Sequence, residues 1–225
     1  GGMLNAIGLQ NPGIDVFLDR DVPFLKQFDT KIIVNVCGHT TEEYLEVVER
    51  LANEPADLLE INISCPNVKE GAIAFGVNPD SLFHIAQEIK KKAKQPVIMK
   101  LTPNVADITK VAKACEDAGA DALCLINTLL GMRIDLRTRR PILHNNMGGF
   151  SGAAVFPVAV RMVWQVANAV SIPVIGMGGV MTGEDAAELM MAGASAVQVG
   201  TAIVQDPYAP LRIIDELNEW LDANH

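Results

Sequence analysis

The sequence predicts an α/β fold built as a (β/α)8 barrel, and three observations predict it. Apolar, β-branched runs alternate with helix-like segments in six strand-then-helix units, with no hairpin signal between them. Such alternation implies a parallel sheet with crossover helices. Every strand closes on a polar residue or glycine: Asn35, Asn62, Lys100, Asn127, Gly178-Gly179 and Gly200-Thr201. A ring of functional residues at C-terminal strand ends is the mark of a TIM barrel. The GxGxxG turn that would open a doubly wound nucleotide-binding sheet is absent after the early strands. Six units are two short of eight, so the expectation is one barrel domain over residues 1–225, truncated ahead of its first two strands.

The opening reads as a loop, because Asn5, Gly8, Gln10, Asn11, Pro12 and Gly13 are turn formers and no strand pattern precedes them. A weak helix over 14–27 follows. Residues 31–36 form a continuous β-branched run, as expected of a strand buried on both faces. Thr40 with Glu43 offers a capping box for a helix to about residue 53. Further strands are expected over 57–63, 96–101, 121–126, 172–176 and 195–199. Helices are expected over 79–94, 105–118, 153–169, 183–192 and 207–223. Residues 127–152 read as the longest irregular segment, with Arg133, Arg137, Arg139, Arg140, His144 and a glycine-rich turn at 148–152. Segments this long are usually functional.

Composition narrows the function. Apolar residues make up 49% and charged residues 20%, which suits a deep aliphatic core. The net charge of −9 argues against a nucleic-acid or anionic-membrane surface. No apolar run reaches the ~18 residues of a membrane span, and the opening Gly1-Gly2-Met3-Leu4 lacks the basic region of a signal peptide. The four cysteines, Cys37, Cys65, Cys115 and Cys124, form no CxxC pair, so no metal site is expected. Thiols without a signal sequence point to a reducing, cytoplasmic setting. Cys115 and Cys124 read as small core residues, whereas Cys37 lies just past a strand and fits either role.

The densest chemistry follows the 57–63 strand, in Asn62-Ile63-Ser64-Cys65-Pro66-Asn67. A loop thiol over a barrel mouth can act as base or nucleophile, since a pKa of about 8.5 leaves a few per cent thiolate at neutral pH. The amides of Asn62, Asn67 and Asn127 match the alternating donors and acceptors of an imide or pyrimidine edge, or simply cap strand ends. Lys100 closes an apolar strand, where it can face an electron-rich cofactor, form a Schiff base, or snorkel to solvent. Gly178-Gly179 and Gly200-Thr201, at the last two strand ends, suit a phosphate group, and Gly149 and Gly152 can add to that cradle.

These motifs resemble the class 1 dihydroorotate dehydrogenases. The resemblance rests on 4–13 (LNAIGLQNPG), Asn62-Ile63-Ser64-Cys65-Pro66-Asn67-Val68, the Lys100 strand end, Asn127-Thr128, Gly149-Phe150-Ser151-Gly152, Gly176-Met177-Gly178-Gly179 and Gly200-Thr201, in that family's order. The loop through Lys69-Glu70 and Ala74-Phe75-Gly76 is most similar to the class 1B, NAD-linked catalytic subunit. The resemblance implies an FMN-binding barrel that oxidises dihydroorotate to orotate in pyrimidine biosynthesis. It implies Cys65 as the base at C5 and FMN as acceptor of the C6 hydride. Lys100 would lie near the flavin N1/C2=O end, Asn62 would touch flavin and substrate, and Asn35 and Ile126 would line the flavin. Asn127 and Thr128 would bind the pyrimidine; Asn67 with Asn5, Ala6, Ile7, Gly8 and Leu9 would complete the pocket. Gly152, Gly178, Gly179, Gly200 and Thr201 would hold the FMN phosphate and ribityl chain. A homodimer is implied, together with a partner subunit carrying FAD and a 2Fe-2S cluster.

Two departures accompany the resemblance. The family's preceding segment, with the first two strands and a lysine and serine at the site, has no counterpart, and Ala72 stands where glycine is common. The other readings are a related FMN barrel of the dihydropyrimidine dehydrogenase type, a Lys100 Schiff-base aldolase, and an inactive fragment that assembles with a partner chain.

Overall fold

The computed structural model describes residues 1–63 and 77–224. Its centre is a six-stranded, wholly parallel sheet. The chain first forms β1 (Met3–Asn5), then lays down β2 (Ile33–Val36), β3 (Leu58–Asn62), β4 (Val97–Lys100) and β5 (Ala122–Leu125). After β6 (Leu129–Gly131), β7 (Ile134–Asp135), β8 (Arg140–Pro141) and β9 (Gly148–Ser151), it returns as β10 (Val174–Met177) and β11 (Ala196–Gln198). The sheet order is β11-β10-β5-β4-β3-β2, so each new strand adds beside the last strand of the sheet. Helices Thr41–Leu51, Pro79–Lys92, Ile108–Asp117, Phe156–Ala167 and Gly183–Met191 intervene between or follow these strands, as the alternating pattern requires. The sheet is that of a (β/α)8 barrel with six strands among the described residues, and β2 and β11 are its edges.

Side chains alternate between the sheet's two faces. One set, including Val36, Leu59, Ile61, Val97, Met99, Leu123 and Leu125, packs with Val48, Leu82, Ile85, Ile89, Val111 and Val163 of the helices in the main core. The other set points into the barrel. There Ile98, Ala122 and Cys124 are buried, packed against Leu58, Ile175 and Met177. On the same inward row, Glu60 and Asn62 follow Leu58, and Lys100 follows Ile98. The barrel interior is therefore apolar at its floor and polar toward the C-terminal strand ends.

Three expectations are corrected. The opening is not only loop: β1 pairs antiparallel with β9, Asn5 opposite Gly149, and β9 also pairs with β6. The segment 127–152 is likewise not wholly irregular: it holds the short strands β6 to β9 between turns, and 148–151 is a strand rather than a turn. Pairing between residues nearly 150 positions apart leaves no local signal, and β1 and β6 to β9 are too short for a periodic pattern. At Thr40 only part of a capping box forms. Its hydroxyl accepts from Glu43 N at 3.2 Å, but the Glu43 carboxylate accepts from His39 N at 2.5 Å. The complete box lies at Thr182 and Asp185, opening the Gly183–Met191 helix.

Candidate active site

The polar groups of the barrel mouth converge on Glu60. The residue is 4% exposed, flanked in its strand by Leu58, Leu59 and Ile61. One carboxylate oxygen accepts from Asn35 Nδ2 at 2.5 Å and from Lys100 Nζ at 3.3 Å. The other accepts from Gln198 Nε2 at 2.8 Å, and the Cys124 thiol donates to Gln198 Oε1 at 3.5 Å. Strand register brings these groups together: Asn35 lies opposite Glu60, Asn62 opposite Lys100, Lys100 opposite Cys124, and Met177 opposite Gln198. Five strands thus contribute to one network spanning the sheet.

The electrostatics follow from this arrangement. Burial pushes the Glu60 carboxyl up, but Lys100 and the donors Gln198, Asn35 and Cys124 outweigh it and hold the group below the usual carboxylate range. Burial raises the Cys124 thiol well above its ordinary value, and the Glu60 charge raises it further. Cys115, buried among apolar side chains, is pushed up to about 12. Neither thiol is a thiolate at neutral pH. Both are buried core residues, as the sequence implies.

A second cluster continues along the rim. Asn127 Nδ2 donates to Asn62 Oδ1 at 3.1 Å, and Asn62 Nδ2 reaches Asn35 Oδ1 at 3.5 Å. The hydroxyl of Tyr44, wholly buried in the Thr41–Leu51 helix, donates to the Asn62 carbonyl at 2.7 Å and fixes that strand end. Thr128 N donates to Asn127 Oδ1 at 2.7 Å. Asn104 bridges the Thr128 carbonyl and Leu130 N at 3.0 and 2.9 Å, tying β6 to the end of β4. A Cβ on Gly149 would lie 2.4 Å from Thr128 Oγ1, so Asn5, opposite Gly149, is carried to the Thr128 side of the mouth.

The last two strand ends are backbone sites. Gly178 and Gly179 have φ of 120° and 82°, and a Cβ on Gly179 would sit 2.8 Å from Phe156 N. Only glycine fits there without strain. Ile126, whose N–H donates to the Met177 carbonyl at 2.8 Å, packs against Gly178. A Cβ on Gly200 would meet nothing within 4 Å, leaving that turn open. Thr201 Oγ1 lies 2.9 Å from Ser151 Oγ, beside Gly152. Such glycine turns leave backbone N–H groups approachable by a phosphate.

The structure therefore brings Asn35, Asn62, Lys100, Asn127 and Thr128 into one network, places Asn5 beside it, and sets Ile126 against Gly178. Cys65 and Asn67 lie outside the described residues. Ala6, Ile7 and Gly8 lead away from β1, and Ile7 is 66% exposed. Leu9, with φ of 62°, lines an apolar cavity of about 340 Å³ beside β2, together with Pro12, Phe17, Val36 and Cys37. That cavity borders Asn35 but not Glu60 or Lys100. Sequence reading assigned no role to Glu60, Gln198 or Asn104. The available signal was a carboxylate and an amide interrupting apolar strands, at Leu58-Leu59-Glu60-Ile61 and Ala196-Val197-Gln198-Val199.

Comparison with known proteins gives concordant results. The family model described as "Dihydroorotate dehydrogenase" matches residues 1–221. A protein of Lachnoclostridium phytofermentans named dihydroorotate dehydrogenase B (NAD(+)), catalytic subunit, is 62% identical over 224 residues, covering 100% of this chain and 75% of the relative. Proteins of the same name from Alkaliphilus metalliredigens and Geobacter metallireducens are 58% and 59% identical, over 99% and 100% of this chain and 74% of each relative. The crystal structure of the Eimeria tenella DHODH in complex with ferulenol superposes with a TM-score of 0.82, over 99% of this chain and 68% of that one. At 23% identity that match speaks to the fold.

Proposed function

This chain belongs to the dihydroorotate dehydrogenase family, and on that premise we propose that it oxidises dihydroorotate to orotate in pyrimidine biosynthesis, with FMN as the hydride acceptor. The observation that carries the reading is the shared mouth: Lys100 and the Asn62–Asn127 amide pair lie on one rim, and Ile126, next to Asn127, packs against the glycine turn of β10.

The residues present fit FMN. Gly178 and Gly179 turn with positive φ, packed against Ile126 and Phe156, so that the turn carries no side chain, Gly200 opens onto free space, and Lys100 supplies a cation only 13% exposed. Gly152, Gly178, Gly179, Gly200 and Thr201 would hold the phosphate and ribityl chain, and Asn35 and Ile126 would line the ring. Bound FMN supplies the acceptor for the hydride leaving C6. Lys100 would place positive charge where the reduced ring gathers electron density. Asn62, Asn127 and Thr128 would orient the pyrimidine edge, with Asn67 and 5–9 closing the pocket. Cys65 would take the C5 proton as general base.

The relatives' name, catalytic subunit, supports a partner that carries electrons onward to NAD; we assign FAD and a 2Fe-2S cluster to that partner and a homodimer to the catalytic chain. Among the described residues no helix is long and apolar enough to cross a membrane, and we place the protein in the cytoplasm. The test is optical. Purified protein should be yellow, and anaerobic dihydroorotate should bleach it with release of orotate. Yellow protein that stays oxidised with excess dihydroorotate overturns the reading.

A further inference from the structure

We propose that Glu60 is a positioning residue for Lys100: it holds the ammonium group at the barrel mouth and tempers the charge that Lys100 presents to the flavin. The proposal rests on the FMN reading above and adds a residue to it.

The argument begins with cost. The inward floor that borders Glu60 is apolar, with Leu58, Ile98, Ala122 and Ile175 packed together. A hydrophobic residue there would complete this floor. A carboxylate must instead be removed from water, which is strongly unfavourable unless charge and hydrogen bonds compensate it. Every neighbour in the network is arranged for that compensation. Asn35 and Gln198 each turn an amide N–H toward it, from strands on opposite sides of β3 and β4, and Gln198 is itself engaged by Cys124. Two amides fix the carboxylate, and the carboxylate in turn fixes one N–H of Lys100. The pair is nearly sealed, with side-chain exposures of 13% and 5%.

The consequence is electrostatic. Lysine carries a compact charge on a flexible four-carbon stem. Tethered to Glu60, the ammonium keeps two N–H groups for the mouth and cannot swing to solvent. Glu60 also makes the pair neutral overall. In a poorly screened site a unit charge acts strongly on its neighbours, so deleting the carboxylate charge leaves Lys100 uncompensated and favours reduced flavin.

Spectroelectrochemical titration of the FMN-loaded protein and its variants tests this. Glu60→Gln should shift the midpoint potential positive, corresponding to at least a tenfold gain in the affinity ratio for reduced over oxidised FMN, about 30 mV for a two-electron couple. Glu60→Asp, which keeps the charge, should restore a value near the parent's. An unmoved or more negative potential in flavin-bound E60Q overturns the proposal. If E60Q loses its flavin, E60D decides. Flavin retained in E60D with a midpoint potential near the parent's supports the charge pairing, and flavin lost from E60D as well overturns it. A double-mutant thermal cycle on flavin-free protein provides the independent readout. Glu60→Gln and Lys100→Met should be non-additive, and additivity overturns the pairing. A parent protein that never binds FMN would fail the functional reading and take this proposal with it, whereas a yellow parent with an insensitive E60Q fails the proposal alone.

Discussion

At the mouth of the barrel, single side chains carry the chemistry, and their ionisation can be followed in solution. The Glu60 carboxyl lies below its ordinary value of 4.5 in the folded chain. The stabilisation this represents is fully present above 4.5 and is lost as pH falls through the lower folded value. Thermal melts across the acid range should therefore show a steeper loss of stability in the parent than in E60Q, and parallel curves would contradict the shift. Cys115 and Cys124 are buried with raised pKa values. Thiol-specific labelling of native protein in neutral buffer should miss both and reach them only after unfolding, as read by peptide mapping. Cys65 has the opposite expectation under the functional reading. Cys65→Ala should lower kcat by ~10²–10⁴, the range for a lost general base, while the visible flavin spectrum persists. Undiminished turnover removes it from that role.

Elements place these residues, and their ends are sensitive points. The Thr182–Asp185 box caps the Gly183–Met191 helix, with Asp185 N donating to Thr182 Oγ1 at 3.2 Å and Thr182 N to the Asp185 carboxylate at 3.0 Å. Thr182→Ala should cost about 1 kcal/mol in denaturant unfolding. Gly179 differs, because its φ of 82° and the Phe156 backbone 2.8 Å from a Cβ both exclude a side chain. Gly179→Ala should cost ~1–3 kcal/mol and weaken FMN binding measured by fluorescence titration. Stability lost with flavin affinity intact would remove Gly179 from the proposed phosphate cradle. Element scale is also where sequence reading is most uneven. Strands β3 to β5 are legible because both faces are buried over most of their length, so their apolar runs are continuous. β2 shows the same apolar run, but as an edge strand it buries only Val34 and Val36 and leaves Ile33 and Asn35 exposed, contrary to the expectation of burial on both faces. β1, β6 and β9 are not legible, because three or four residues carry no period and the β1–β9 pairing joins opposite parts of the chain.

Across the whole molecule, the parallel sheet sets the helices on one side and the polar mouth inside the barrel, and a flavin seated there would touch several strand ends at once. Its binding should stabilise the fold by mass action, ~2.7 kcal/mol when FMN stands at a hundred times its Kd. Removing the flavin should lower the melting temperature, and re-adding it should restore it; no response to FMN would count against the cofactor. The amino-acid sequence by itself determined the α/β barrel class, the order of the main units, the rim residues Asn62, Lys100 and Asn127, and the glycine ends of the last strands. Each follows from local chemistry: periodicity, turn residues, and polar groups that end apolar runs. Only the tertiary structure decided that Glu60 is the hub of the mouth, that Gln198 reaches it from 138 positions away, and that β1 folds back beside Thr128. Those contacts arise from inward alternation and strand register across a curved sheet. A linear pattern marks Glu60 as odd in its strand, but it cannot show which donors will meet it.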